Sequence, residues 1–272
     1  MCGIGGIITF TRPTGKRKEL IKRITKNLLK ELESRGTDAS GIALIDHQHG
    51  REEVFKMAIP GSKLAEKQEF ENTFKNEFDT ILIHTRAATT GTERRNVNNH
   101  PHQNKITGNV LIHNGVINNY PQLIKDNNLQ MDGDCDSEVI LKLADKIGFD
   151  EAMKKLKGSF AVALTKRKKK QTIIFRGDYS PLFLMYIPQL DCYVFASTED
   201  IAINSVYNEK ARTFGNLEME KSCGQFFYKE LSHGDKVIFN HTLPCGDVIH
   251  SVVEEEVVED KFKLTKENWW WN

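Results

Sequence analysis

The order of elements along the chain is consistent with an α+β fold, on three observations. Short apolar runs recur in pairs separated by polar turns, as hairpins do. Amphipathic helical stretches lie between those pairs. No internal repeat or Gly/Ser-rich linker interrupts the sequence.

Taken in order, 3–10 reads as a short buried strand, rich in isoleucine and glycine and ended by Thr11-Arg12-Pro13. Residues 16–34 read as an amphipathic helix, with Leu20, Ile21, Ile24, Leu28, Leu29 and Leu32 at helical spacing. Its basic residues are expected to form a solvated face, since no aromatic belt suggests a membrane surface. The runs 42–46 and 53–58 pair around His47-Gln48-His49-Gly50. A helix is expected over 64–78, a strand over 80–83, and a long loop over 86–109, a length that is uncommon without a functional reason. The strand 110–112 runs into His113-Asn114-Gly115, helices follow over 136–147 and 150–156, and hairpins over 160–175 and 182–196. Segments 226–228 and 236–239 read as weak strands, followed by the acidic, valine-rich 252–260. The expected organisation is a domain over 2–215 and an extension over 216–272 that completes it or docks a partner.

Of the 272 residues, 39% are hydrophobic, enough for a sizeable core, and the net charge is only +1. Near-cancellation argues against a protein built to neutralise nucleic-acid phosphates and against wholesale disorder. No apolar run is long enough to span a bilayer, and the N-terminus lacks the positive leader of a signal peptide. The five cysteines (2, 135, 192, 223, 245) form no Cys-x-x-Cys pair. A reduced, cytoplasmic setting with free thiols is expected, and neither a disulfide framework nor a zinc knuckle.

The chemistry begins at Cys2. Trimming of Met1, usual before a small residue, would leave a thiol and a free amine on one residue. An α-amine with a reference pKa of about 7.7–8.0 can take the thiol proton near neutrality. Met-Cys-Gly alone also fits an inert N-terminus. Further segments alter that balance: Cys2-Gly-Ile-x-Gly, Arg35-Gly36-x-Asp38-x-x-Gly41, His84-Thr85-Arg86-x-Ala88-Thr89, His113-Asn114-Gly115 with Asn119, and Asp136-Ser137-Glu138. In this order they resemble the glutaminase domain of the class II glutamine amidotransferases, which are N-terminal-nucleophile hydrolases. Gly158-Ser159-Phe160-Ala161, Arg176-Gly177, Ser180-Pro181-Leu182 and Phe195-Ala196-Ser197 extend the likeness to about residue 205.

The resemblance implies a four-layer αββα sandwich, two antiparallel sheets between helical layers, with Cys2 at the end of a central strand. It implies L-glutamine as substrate and no metal or organic cofactor. Cys2 would attack the side-chain amide; Asn114 and the Gly115 backbone N–H would stabilise the oxyanion. Arg86 suits the α-carboxylate through paired hydrogen bonds, with Thr89 as a further donor. Asp136 suits the α-ammonium, with Gly115 adding backbone contacts, and Arg35 would brace the chain near Cys2.

Read singly, the same residues allow plainer roles. Arg86 and Asp136 fit surface or capping positions, and Asn114-Gly115 fits a hairpin turn. His84, His100, His102 and His113 find no carboxylate at a recognisable metal spacing, and the other four cysteines read as buried spectators. Two departures separate the chain from the glucosamine-6-phosphate synthases, where Trp and His usually stand: Ala87 and Thr90 occupy those places. Thr89-Thr90-Gly91 looks more like the amidophosphoribosyltransferases, while Asn99-His100-Pro101-His102 and His113-Asn114-Gly115-Val116-Ile117 look more like the glucosamine synthases, so the resemblance points to both subfamilies. The stretch beyond residue 205 is too short for a synthase domain and no phosphate-cradling glycine loop occurs. The expectation is therefore a stand-alone glutaminase feeding a separate synthase, docked through the tail and its Trp269-Trp270-Trp271. Self-association into a homo-oligomer is compatible with it. Two rivals are a solitary amidohydrolase of γ-glutamyl compounds and a catalytically silent binding module.

Overall fold

In the computed structural model the described residues are 1–207, 228–242 and 247–253. They form two antiparallel sheets packed face to face, with helices on the outer side of each. The chain runs β1 (Gly3–Thr9), α1 (Gly15–Glu31), β2 (Ala39–Asp46), β3 (Arg51–Met57), α2 (Gly61–Ala65), α3 (Gln68–Thr73) and β4 (Thr80–Arg86). It continues with β5 (His102–Asn104), β6 (Asn109–Ile117), α4 (Tyr120–Asp126), α5 (Asp136–Ile147) and α6 (Phe149–Lys155). Then come β7 (Gly158–Lys166), β8 (Gln171–Arg176), β9 (Phe183–Ile187), β10 (Cys192–Ala196) and α7 (Glu199–Val206). The last strands are β11 (Tyr228–Glu230), β12 (Asp235–Asn240) and β13 (Asp247–Val252). One sheet has the order β11-β9-β10-β1-β4-β2-β3, the other β13-β12-β8-β7-β6-β5. The described part of 216–272 thus adds an edge strand to the first sheet and two strands to the second.

Side chains alternate across each strand, so three apolar layers follow from parity. Ile4 and Ile8 of β1, Leu82 of β4 and Val110 and Ile112 of β6 meet between the sheets. Ile7, Ile81 and Ile83 face α1, whose Ile21, Ile24, Leu28 and Leu29 are buried against them. Leu111, Val162 and Leu164 face α5, through Val139, Ile140 and Leu143. Two glycines of β1 exist for close packing: a Cβ on Gly6 would meet the Ile81 carbonyl at 2.3 Å, and one on Gly3 would meet Thr85 Oγ1 at 2.7 Å.

Several sequence expectations change. The helix expected over 64–78 is two short ones, parted at Lys67, whose backbone is extended. Phe70, Phe74 and Phe78 are four apart because their rings pack in a row, the first pair tilted and the second edge to face, with ring centroids 5.0 and 5.5 Å apart, and Phe78 lies beyond α3. The basic face of α1 covers that row: the Lys18, Lys22 and Lys26 ammoniums sit 5.6, 6.0 and 5.5 Å from the rings of Phe78, Phe74 and Phe70. β4 runs on to Arg86 although its apolar run ends at Ile83. His113-Asn114-Gly115 lies inside β6 and is not a turn. Strand β5 and helices α4 and α7 are further elements the patterning did not announce. Trp269-Trp270-Trp271, Cys223 and Cys245 lie outside the described residues.

Candidate active site

Parity brings the site together. Cys2 lies two residues before Ile4, Arg86 four beyond Leu82, and Asn114 two beyond Ile112, so all three share the inter-sheet face of their strands. Registers put them at one end of the sandwich: Ile4 lies opposite His84 and Gly3 opposite Thr85. Across the gap, His84 Nε2–H donates to the His113 carbonyl at 3.0 Å, fixing β4 to β6 beside Asn114. Two further contacts seat this end of β1 and β4: Ile4 N–H donates to Ser197 Oγ at 2.9 Å, and Thr85 Oγ1 donates to the Leu32 carbonyl at 2.7 Å.

The Cys2 thiol donates to the Ala87 carbonyl at 3.5 Å, and the Cys2 carbonyl accepts from Arg35 Nε at 2.8 Å. Arg35 thus holds the backbone of Cys2. Burial pushes the Cys2 thiol above its ordinary range, opposed by the hydrogen bond to Ala87 and the nearby Arg86 cation, while Asp136 acts in the upward sense. Burial thus favours the thiol over the thiolate, and a base is needed to make it a nucleophile.

Arg86 is 2% exposed, and the chain already uses much of its guanidinium. Nη1 donates to Asn99 Oδ1, and Nη2 to the Thr90 and Gly91 carbonyls, each at 2.7 Å. Nε–H and one Nη1–H remain. Nη2 belongs to both bidentate edges of the fork, so the paired carboxylate contact read from sequence is part-occupied by this loop. Thr89 is exposed and makes no hydrogen bond among the described residues.

Asp136 opens α5 and is 2% exposed; its Oδ2 accepts the Ile117 N–H at 2.8 Å, two residues past Gly115. A carboxylate in the first turn of a helix is favoured by the helix dipole. Neither amide atom of Asn114 has a partner, although the residue is 1% exposed. Gly115 has φ +141°, and a Cβ there would lie 1.8 Å from the Ser159 carbonyl oxygen. Its register partner Phe160 gives its own N–H and C=O to Asp178 and Gly177. The Gly115 N–H therefore points away from β7, on the side where β5 has already ended.

Sequence reasoning missed the residues that hold these groups. Asn98 is fully buried; its Nδ2 donates to the Thr92 carbonyl at 3.0 Å, and its Oδ1 accepts the Asp134 N–H at 2.8 Å. It ties the Arg86 loop to the segment leading into Asp136. Glu138 accepts the Asp132 and Gly133 N–H groups at 2.8 and 2.9 Å from the other side. Lys56 donates to the Asn99 and Pro101 carbonyls at 2.5 and 2.9 Å, and burial lowers its pKa to about 8. The Asn98-Asn99 pair was visible as a polar run without periodicity; only the fold shows what each amide spans.

Comparison with known proteins decides the relationship. A model of the glutamine amidotransferase domain matches residues 67–263, well over half of the chain. The chain belongs to the glutamine amidotransferase family. Glutamine–fructose-6-phosphate aminotransferase from Bacillus spizizenii is 33% identical over 220 residues, 77% of this chain and 34% of that protein. The corresponding enzyme from Helicobacter pylori is 30% identical over 264 residues, 86% of this chain and 41% of that protein. The chain thus spans well under half the length of these relatives. Among solved structures, the glutamine phosphoribosylpyrophosphate amidotransferase of B. subtilis superposes with a TM-score of 0.69 at 20% identity, over 93% of this chain and 49% of that one. A glutamine aminotransferase class-II domain protein from Silicibacter pomeroyi gives 0.53 at 12%, over 92% and 98%. These likenesses are in fold: the α+β sandwich of the class II, N-terminal-nucleophile amidotransferases. No helix among the described residues is long and apolar enough to cross a membrane.

Proposed function

We propose that this chain hydrolyses the side-chain amide of L-glutamine to glutamate and ammonia, with Cys2 as nucleophile once Met1 is removed. The supporting observation is the convergence of Cys2, Arg86 and Asn114 on one inter-sheet face, beside the buried carboxylate of Asp136.

With Met1 gone, the amine belongs to Cys2 itself and accepts the thiol proton. Sulfur then adds to the amide carbon. The charge that develops on oxygen is stabilised by the Asn114 Nδ2–H, a buried donor without a partner, and by the Gly115 N–H. The protonated amine returns its proton to the departing nitrogen, ammonia leaves, and water cleaves the thioester to glutamate and free thiol. Arg86, through one of its remaining N–H groups, binds the α-carboxylate, and Asp136 Oδ1 faces the α-ammonium. The ammonia serves a synthase, a reading supported by the aminotransferase names of the relatives, in a cytoplasmic setting that keeps the thiol reduced.

The test is glutamate release by full-length protein whose N-terminus is verified as Cys2. Cys2→Ser should abolish it, and Asp136→Asn should raise KM for glutamine more than it lowers kcat. A Met1-free chain that releases no glutamate while folded would sink the proposal.

A further inference from the structure

Behind the Asp136 loop lies a buried donor set that the proposed hydrolysis leaves unused. His100, His102 and Cys135 are 2, 4 and 3% exposed, and one ligand atom from each lies within 4.8 Å of the others. Both ring nitrogens of His100 and Nε2 of His102 lack a hydrogen-bond partner. The two rings meet edge to face at 4.5 Å, and His84 stacks on His100 at 3.9 Å. Cys135 directly precedes α5, its thiol 3.7 Å from Asp136 Oδ1.

Orphaned polar atoms in a closed interior are costly, and one nitrogen from each ring lies within 4.8 Å of the Cys135 sulfur. From these positions we infer a metal site in which His100, His102 and Cys135 bind one borderline-soft divalent ion, zinc by preference. Two imidazoles and a thiolate are zinc ligands, and are a poor set for magnesium or calcium. Donor atoms about 3.3–3.7 Å apart suit a tetrahedral ion with bonds of about 2.0–2.3 Å, so the set closes by about 1 Å around it. The ion takes the place of the thiol proton, which passes to solvent, and a water fills the fourth position. The surrounding charge is balanced, with Asp136 and Glu138 against Arg86 and Lys56. The sequence could not show this site, because its third ligand is a cysteine far along the chain from the His-Pro-His run. Bound metal would pin the segment after Asn98-Asn99 to the start of α5. The inference stands apart from the glutaminase reading.

The experiment is titration of the chelator-stripped full chain with Co(II). The result expected is one equivalent bound, with the near-ultraviolet sulfur-to-cobalt band and the visible bands of a four-coordinate ion, displaced by Zn(II). Cys135→Ser should lose the sulfur band and at least tenfold in affinity; His102→Gln should lose at least tenfold in affinity; Cys2→Ser should keep both. No sulfur band in the wild type, or a band that survives in Cys135→Ser or vanishes in Cys2→Ser, overturns the site and leaves the orphaned nitrogens to buried water. Should Cys135→Ser fail to fold by circular dichroism, His100→Gln and His102→Gln decide: an unchanged Co(II) titration in both overturns it.

Discussion

Replacing Asn114 by leucine should make the protein more stable and nearly inactive. The side chain is 1% exposed, and neither its nitrogen nor its oxygen has a partner. An unsatisfied buried polar group costs about 1–3 kcal/mol. A leucine of similar volume removes both such atoms, and imperfect fit returns part of the gain, for a net of about 1–2 kcal/mol in unfolding free energy. The same change deletes an oxyanion donor, which lowers kcat by about 10²–10³-fold. Urea unfolding and initial rates of glutamate release measure the two effects on one sample. A variant destabilised by more than about 1 kcal/mol that keeps its activity would refute the reasoning, since Asn114 would then be a satisfied structural residue.

Three further outcomes follow from the geometry. Gly115→Ala combines positive-φ strain of about 1–3 kcal/mol with a Cβ 1.8 Å from a backbone oxygen, so urea melts should show a loss of at least about 3 kcal/mol. Arg86→Lys keeps the charge but cannot serve Asn99, Thr90 and Gly91 as the fork does; KM for glutamine should rise about tenfold or more with a smaller change in kcat. Burial holds His241, stacked on His47 and near Asp79, at about 3, below the ordinary 6.5. The folded chain therefore excludes a proton that the unfolded chain takes up, and stability is lost as pH falls from 6.5 toward 3. At pH 5.5 that loss is about 1.4 kcal/mol, so His241→Gln should narrow the difference between urea midpoints at pH 7.5 and 5.5.

What the sequence made legible was whatever alternation and helical spacing can encode. The start of β1, the pairing of β2 with β3, helix α5 and the two later hairpins follow from apolar period alone. Elements near the site were harder to read because their residues serve two ends. Thr85 and Arg86 of β4, and His113 to Gly115 of β6, are buried strand residues that carry polar groups, so pattern reading stopped each strand short. The Phe70, Phe74 and Phe78 row has a helix spacing without a continuous helix, since a row of rings under three lysines repeats every four residues too. Candidate site residues could be named from motif order, yet their support could not. Asn98 and Glu138 each act through two backbone contacts that only the folded loops bring within reach, and Arg86 spends three of its donors on loop contacts, two of them to backbone.

The central claim is that the sulfur of Cys2, activated by its own amine, attacks a glutamine amide. Intact-protein mass spectrometry after incubation with an electrophilic glutamine analogue tests it directly. The account predicts a chain lacking Met1 that gains one adduct, mapped to Cys2, with labelling suppressed by glutamine and lost in Cys2→Ser. A chain that lacks Met1 and stays unlabelled, or one labelled at Cys135 or Cys192 instead, would contradict it.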